Sequence, residues 1–358
     1  MTTDLFALTA ELVDIASESR DEQAIVAFVE QRLRPLEHLS VIRVGDNLVA
    51  RTELGHGCRV VLGGHTDTVP ANGNADARVE GGTIWGVGSA DMKGGLAVML
   101  ASAELHTSPA VDLTYVFYAR EEISSSESGL EELFEAAPDL LLADLAILGE
   151  PTDGAIEAGC QGSIRADVTL RGSRAHTARA WMGRNAIHRL APLLVALNDY
   201  EPRQPMLSGC QFHEALLAVE VAGGVSGNVV PDSVTLSVAH RFAPDRSAAE
   251  AEKHLRAVLA PHLEPTDEVE IIDVAPAAAP AVDHPLVAAV IERHQLEVRA
   301  KLGWTDVARF AARGVPAINL GPGDPTVAHT ADEHLERASL DRVWTVIDDL
   351  VNGAGASL

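Results

Sequence analysis

A chain of 358 residues is long for a single core and predicts about two domains. Apolar residues make up 47% and aromatic ones only 4%, which excludes wholesale disorder and predicts a core of Ala, Val, Leu and Ile. A net charge of −25 argues against nucleic acid or an anionic membrane as partner.

Cys58, Cys160 and Cys210 are too widely spaced for a disulfide framework or a cysteine-based zinc site, which predicts a reducing compartment. No basic segment followed by an apolar one opens the chain, so no signal peptide is expected. No apolar run reaches the ~18 residues of a membrane helix. The chain is therefore read as a cytoplasmic protein.

Apolar residues at Leu5, Leu8, Leu12 and Ile15 recur with helical period, and Asp4 is placed to cap that helix. A second helix is expected over 22–33, followed by strands over 39–44 and 47–51. Then comes Arg59-Val-Val-Leu62, a buried strand, leading into Gly-Gly-His65-Thr-Asp67-Thr-Val-Pro70. A Gly/Asn-rich passage ends in Gly88-Ser-Ala-Asp91-Met-Lys-Gly94-Gly95, and a helix is expected over 96–105. Strands over 113–119 and 144–148 end in Arg120-Glu121-Glu122 and Gly149-Glu150-Pro151, with a helix over 130–136 between them. Such alternation predicts a mostly parallel sheet flanked by helices.

From Ser163 the pattern changes. A half-exposed strand over 163–170, a helix over 185–197, strands over 215–222 and 233–241, a helix over 248–259 and a strand over 268–273 predict a separate α+β module. Ala275-Pro-Ala-Ala-Ala-Pro280 reads as its exit linker. After it come a helix from His284, a helix over 304–313, a strand over 316–320 and a last helix near 339–350. The fold class is thus α/β, with residues 1–162 and 281–358 forming one domain and 163–280 inserted into it.

His65, Asp67, Asp91, Glu121, Glu122, Glu150 and His329 are nitrogen and carboxylate donors, most of them at the ends of apolar strands. Hard metal chemistry wants such donors on rigid elements, and two ions sharing one carboxylate need about this many. The chain holds no Gly-x-Ser-x-Gly elbow, no phosphate loop and no dinucleotide fingerprint. His213-Glu214 begins like a zincin helix, but Leu217 stands where the second histidine belongs.

These ligand contexts together resemble the co-catalytic zinc aminoacylase/carboxypeptidase family over nearly the whole chain, inserted domain included. The likeness is carried by Gly149-Glu-Pro-Thr152, Glu157-Ala-Gly-Cys-Gln-Gly162, Arg174-Ala-His-Thr-Ala-Arg179, Gly303-Trp-Thr-Asp-Val-Ala-Arg309 and Gly323-Asp-Pro. It implies a zinc-peptidase-like catalytic domain with an inserted lid and dimerisation domain, and two zinc ions per subunit, which cobalt can replace. His65 and Glu150 would hold one ion, Glu122 and His329 the other, with Asp91 bridging. Asp67 would hydrogen-bond His65, and Glu121 would be the general base. The peptide bond after Asp91 is typically cis in such proteins.

The resemblance further implies a homodimer in which His176 reaches the partner's site and stabilises the oxyanion. Ser163, Asn228, Arg241, Thr305 and Arg309 match substrate contacts, and arginines suit a small N-acyl amino acid with several carboxylates. Within the family the likeness is to its desuccinylase branch, which implies hydrolysis of N-succinyl-L,L-diaminopimelate to succinate and L,L-diaminopimelate. An acetylornithine deacetylase, another N-acyl amino-acid hydrolase, or an inactive relative that only binds acyl amino acids are the alternatives. Cys160-Gln161 replaces an Arg-Arg found in many of that branch, and Trp304 replaces a glycine. Both departures touch the substrate side.

Overall fold

Asp4 accepts the N–H groups of Phe6 and Ala7 at 3.1 and 3.3 Å and so opens helix α1 (Leu5–Val13). The structure, a computed structural model, describes residues 4–353. Helix α2 (Gln23–Leu33) leads to the hairpin β1 (Ser40–Val44) and β2 (Asn47–Arg51), then to β3 (Arg59–His65). Two three-residue strands, β4 (Arg78–Glu80) and β5 (Thr83–Trp85), precede an irregular turn over Ser89–Lys93 and helix α3 (Gly94–Leu105). Strand β6 (Asp112–Tyr118), helix α4 (Gly129–Ala136), β7 (Leu145–Leu148) and β8 (Ile156–Ala158) follow.

The chain then builds β9 (Gly162–Arg171), α5 (Leu190–Asn198), a short hairpin of β10 (Met206–Leu207) and β11 (Cys210–Gln211), β12 (Ala215–Gly223), β13 (Ser233–Phe242), α6 (Ala248–Leu259) and β14 (Glu268–Ala275). Last come α7 (Pro285–His294), β15 (Val298–Ala300), α8 (Val307–Ala312), β16 (Ala317–Asn319), β17 (His334–Glu336) and α9 (Arg337–Val351).

Two compact units result. The first holds the described residues up to Ala158, Pro280–Arg299 and those from Arg309 on; the second holds Gly159–Ala279 and Ala300–Ala308. The second unit thus takes in 300–308, a stretch that the sequence pattern assigns to the other domain.

In the first unit an eight-stranded sheet runs β1-β2-β6-β3-β7-β16-β8-β15. The centre, β6-β3-β7-β16, is parallel, while β2 and β8 flank it antiparallel. The continuous apolar runs explain this placement, because β6 and β7 are buried along their whole length, as parallel strands covered on both faces must be. Strands β17, β5 and β4 form a separate small sheet.

The second unit is an antiparallel sheet, β12-β13-β9-β14. Alternating Ile164, Ala166, Val168 and Leu170 bury one face against Leu190, Leu193 and Leu197 of α5 and Leu255 and Leu259 of α6. Helix α5 starts later than its apolar period suggests, because a 3₁₀ turn over Ile187–Arg189 comes first and Asn185 caps His188 at 3.2 Å. Edge strand β12 is exposed on both faces from Val219 to Gly223. Among the described residues no helix is long and apolar enough to cross a membrane.

Candidate metal centre

Three adjacent parallel strands deliver the site. Strand β3 ends in His65, β6 runs on into Glu121 and Glu122, and β7 into Glu150. The carboxyl ends of neighbouring parallel strands are where open α/β sheets gather their chemistry. Asp91 lies in the turn before α3, and its bond to Met92 is cis. His329 lies in the loop after β16, the strand next to β7, with a left-handed φ of 63°.

Asp91 stands between the two histidines. One of its oxygens is 3.1 Å from His65 Nε2, the other 3.4 Å from His329 Nε2. Glu150 approaches His65 Nε2 to 4.0 Å and Glu122 lies 2.9 Å from His329 Nε2. Donor atoms of His65, Asp91 and Glu150 lie within 4.8 Å of one another, as do those of Asp91, Glu122 and His329. Glu121 joins a third such group with His65 and Glu122. Imidazole nitrogens and carboxylate oxygens so arranged suit a divalent metal, so the residues fit such a group.

The supporting bonds orient these donors. His65 Nδ1 lies 3.0 Å from the backbone oxygen of Asp67 and donates to it, which turns Nε2 toward Asp91 and Glu150 and makes Nε2 the atom that can ligate once its proton is displaced. The Asp67 carboxylate is farther from that nitrogen, at 3.6 Å. Its oxygens instead accept the N–H groups of Glu121 at 3.0 Å and Glu122 at 3.1 Å, and the Ser19 hydroxyl at 2.7 Å. The expected link from Asp67 to His65 is therefore made mainly by the carbonyl, because the carboxylate accepts the two main-chain N–H groups that follow β6.

Electrostatics follow from this crowding of carboxylates. Burial alone would lower the pKa of His65, yet Asp67, Asp91 and the charge of Glu150 raise it well above the ordinary histidine value. Hydrogen bonds to Asp91 and Glu122 raise that of His329 to about 10. Burial opposes ionisation of Asp91, but His329 and His65 pull it far below the usual carboxylate range. Asp67, likewise buried, is held down to about 2 by His65, Ser19 and the Glu121 amide. The carboxylates thus hold two imidazolium charges, and a divalent cation binding here competes with those protons.

Other expected residues sit as follows. Arg309 is nine-tenths buried, and its guanidinium donates to Glu131 at 2.6 Å and to Ser125 Oγ and O at 3.0 and 3.2 Å. It braces the loop after Glu122. In the second unit Ser163 and Arg241 are register partners across β9 and β13. His176 is exposed and accepts the Ala178 N–H on Nδ1 at 3.0 Å, which leaves Nε2 to carry the ring proton. Next to it, the Asn228 carbonyl accepts from the Thr177 N–H at 3.0 Å. Thr305 is buried, with its carbonyl 3.8 Å from Cys160 Sγ.

Three supporting residues carry no sequence signal of their own. Ser19 donates to Asp67. Glu333, buried, accepts the N–H groups of Ala90 and Asp91 at 3.0 Å each and so fixes the backbone that presents Asp91. Met92 Sδ accepts the His65 N–H at 3.3 Å. Glu333 stands four residues after His329, the only hint its position offers.

Known proteins resemble this chain over most of its length. The model of peptidase family M20/M25/M40 matches residues 61–353. A Mycobacterium tuberculosis protein provisionally named succinyl-diaminopimelate desuccinylase DapE is 48% identical over 334 residues, 93% of each chain. The Corynebacterium glutamicum succinyl-diaminopimelate desuccinylase is 43% identical over 338 residues, 92% of this chain and 91% of that one.

Among solved structures, a Staphylococcus aureus tripeptidase superposes with a TM-score of 0.79 at 22% identity, covering 98% of this chain and 97% of that one. Bacillus subtilis YxeP, described as a dinuclear metal-binding peptidase of family M20, gives 0.70 at 16%, covering 97% and 96%. At such identities these two likenesses concern the fold alone.

Proposed function

The chain belongs to peptidase family M20/M25/M40, and we propose that it hydrolyses the amide bond of N-succinyl-L,L-diaminopimelate, releasing succinate and L,L-diaminopimelate. The observation that carries the hydrolytic chemistry is Asp91 set between His65 and His329, with Glu150 and Glu122 on either side. The substrate rests on the names of the two relatives, each matched over more than nine-tenths of its length.

His65, Asp91 and Glu150 would hold one divalent ion, and Asp91, Glu122 and His329 the other, zinc or cobalt by the chemistry of the donors. Such a pair supplies Lewis-acid activation of a water and of the scissile carbonyl. Glu121 takes the proton from the attacking water and returns it to the leaving amine. Asp67 holds the Glu121 amide, so the base stays aimed while it moves the proton.

His176 serves the partner subunit in a homodimer, donating from Nε2 to the developing oxyanion. Ser163, Asn228, Arg241 and Thr305 bind the substrate's carboxylates and polar groups, and Arg309 reaches it only by exchanging Glu131 and Ser125. The second unit then acts as lid and dimerisation domain. Free thiols at Cys58, Cys160 and Cys210 accord with a cytoplasmic enzyme.

The test is a substrate panel with added zinc or cobalt, run beside metal analysis of the purified protein. N-succinyl-L,L-diaminopimelate is expected to exceed N-acetylornithine and dipeptides in kcat/KM. Preference for either of the others overturns the substrate. Glu121→Gln is expected to lower kcat by roughly 10²–10⁴-fold, the range for a positioned acid–base group. Unchanged turnover in that variant rejects Glu121 as the base.

A further inference from the structure

Met92 directly follows Asp91 and is fully buried. Its methyl group occupies a space walled by glycines. A Cβ placed on Gly64 would come within 2.3 Å of Met92 Cε, and one on Gly95 or Gly149 within 2.9 Å. None of the three has a left-handed φ, so their backbone conformations do not call for glycine. At Gly64 and Gly149 what a Cβ would meet first is the methionine methyl, whereas at Gly95 it would meet the Gly149 carbonyl oxygen before the methyl.

Two of these glycines adjoin the ligand candidates. Gly64 precedes His65 and Gly149 precedes Glu150, while Gly95 lies in the first turn of α3. The same side chain also accepts the His65 N–H on its sulfur at 3.3 Å. One unbranched side chain therefore touches the ends of β3 and β7 and the start of α3, and is bonded through the backbone to Asp91. A thioether suits such a slot, being narrow, flexible and a weak acceptor.

We propose that Met92 is a positioning residue that sets the spacing of His65, Asp91 and Glu150, and so the first of the two metal positions. The inference rests on the metal reading of that cluster. The second position shares only Asp91, since Glu122 and His329 belong to other loops. A fault at Met92 is therefore selective. It weakens one ion more than the other, whereas a general loss of stability weakens both.

The contact can be broken from either side and partly restored. Met92→Ala empties the slot, and Gly149→Ala crowds it. In the double variant the new Cβ no longer meets the methyl, and its next neighbour is Gly95 Cα at 3.3 Å. Gly95→Ala is the control, because its Cβ would also lie 2.3 Å from the Gly149 carbonyl oxygen, a backbone clash that removing the methyl cannot relieve.

The metal-free forms are titrated with zinc against a competing chelator and with cobalt by visible absorption, alongside urea unfolding of each metal-free form. In Met92→Ala and in Gly149→Ala one of the two affinities is expected to fall about 10–100-fold, the usual cost of disturbing groups behind metal ligands, while the other stays within about threefold. The Met92→Ala/Gly149→Ala double variant is expected to bind that ion more tightly than Gly149→Ala alone, and Gly95→Ala is expected to gain nothing from Met92→Ala. Unchanged affinities in both single variants, an equal loss at both positions, or additive losses in the double variant overturn the proposal. Wild-type protein that binds no zinc overturns the metal reading beneath it as well.

Discussion

At the scale of single residues, charge and burial decide what each group can do. The Asp67 carboxylate spends its oxygens on two main-chain amides and a hydroxyl, and it is held down to about 2. Asp67→Asn keeps one acceptor but turns an NH₂ group toward an N–H. A hydrogen bond to a charged group contributes about 1.5–3 kcal/mol, so urea unfolding should show a loss of about that size. Turnover should fall more than this stability change implies, because the Glu121 amide is released with it. Activity left intact beside normal stability would show that the tie does not aim Glu121.

His240 tests the same logic away from the site. It is fully buried in β13, and neither ring nitrogen meets a partner of good geometry among the described residues. Burial pushes its pKa down to about 4, with the charge of Glu214 opposing. The unfolded chain takes up the proton near the ordinary value of about 6.5 while the folded chain refuses it, so stability falls with pH between about 6.5 and 4. At about 1.4 kcal/mol per pH unit the full loss is about 3 kcal/mol. Buried carboxylates such as Asp67, held to about 2, lose their contribution only at lower pH. Urea titrations at several pH values should show the slope in wild type and a flatter one in His240→Phe; equal slopes would place the titrating group elsewhere.

At the scale of elements, the loop that follows Glu122 is held by arginines, two of them from distant parts of the chain. Arg20 forks onto Glu127 at 2.7 and 2.8 Å, Arg120 donates to the Glu127 carbonyl at 2.8 Å, and Arg309 holds Ser125 and Glu131. Arg309→Lys loses the planar fork, which an ammonium cannot replace. If Arg309 braces the loop, amide exchange over 124–127 should quicken and kcat should drop, and Glu131→Gln should reproduce both effects. If Arg309 instead binds substrate, Arg309→Lys raises KM with exchange unchanged, while Glu131→Gln frees the guanidinium and lowers KM.

The same loop shows what could be read from sequence. Glu121, Glu122 and Glu150 are legible because they follow buried runs, Val116-Phe-Tyr-Ala119 and Ala146-Ile-Leu148, whose apolar continuity marks a parallel strand and its mouth. His329 follows no such run; the sequence offers it as a donor, but only the family resemblance pairs it with Glu122. Strands β4, β5 and β17 have three residues each, too few to display a period of two. Bracing by Arg309, Ser19 or Glu333 depends on backbone groups brought from afar, as in the Glu333 bonds to Ala90 and Asp91, and pattern alone does not encode such pairings.

At the scale of the whole molecule, the division of labour between units can be tested without knowing how they move. The metal candidates and Glu121 all lie in the first unit, His176 in the second. If each site takes His176 from the partner subunit, a Glu121→Ala chain and a His176→Ala chain should rescue each other. In their heterodimer one site is doubly damaged. The other pairs an intact Glu121, from the His176→Ala chain, with an intact His176 from its partner. Half the dimers are mixed when subunits exchange freely, and each then has one working site of two. About a quarter of wild-type activity should therefore return when two inactive homodimers are mixed under conditions that allow exchange, provided association follows simple mass action. The rescue should appear with the kinetics of subunit exchange, followed by labelled chains, and should vanish when the subunits are cross-linked before mixing. Exchange without rescue would assign His176 to the site of its own chain, and a His176→Ala homodimer that is already active would assign it to no site. Rescue would fix the working unit as the dimer, with β12, exposed on both faces from Val219 to Gly223, as the first edge to probe for the contact.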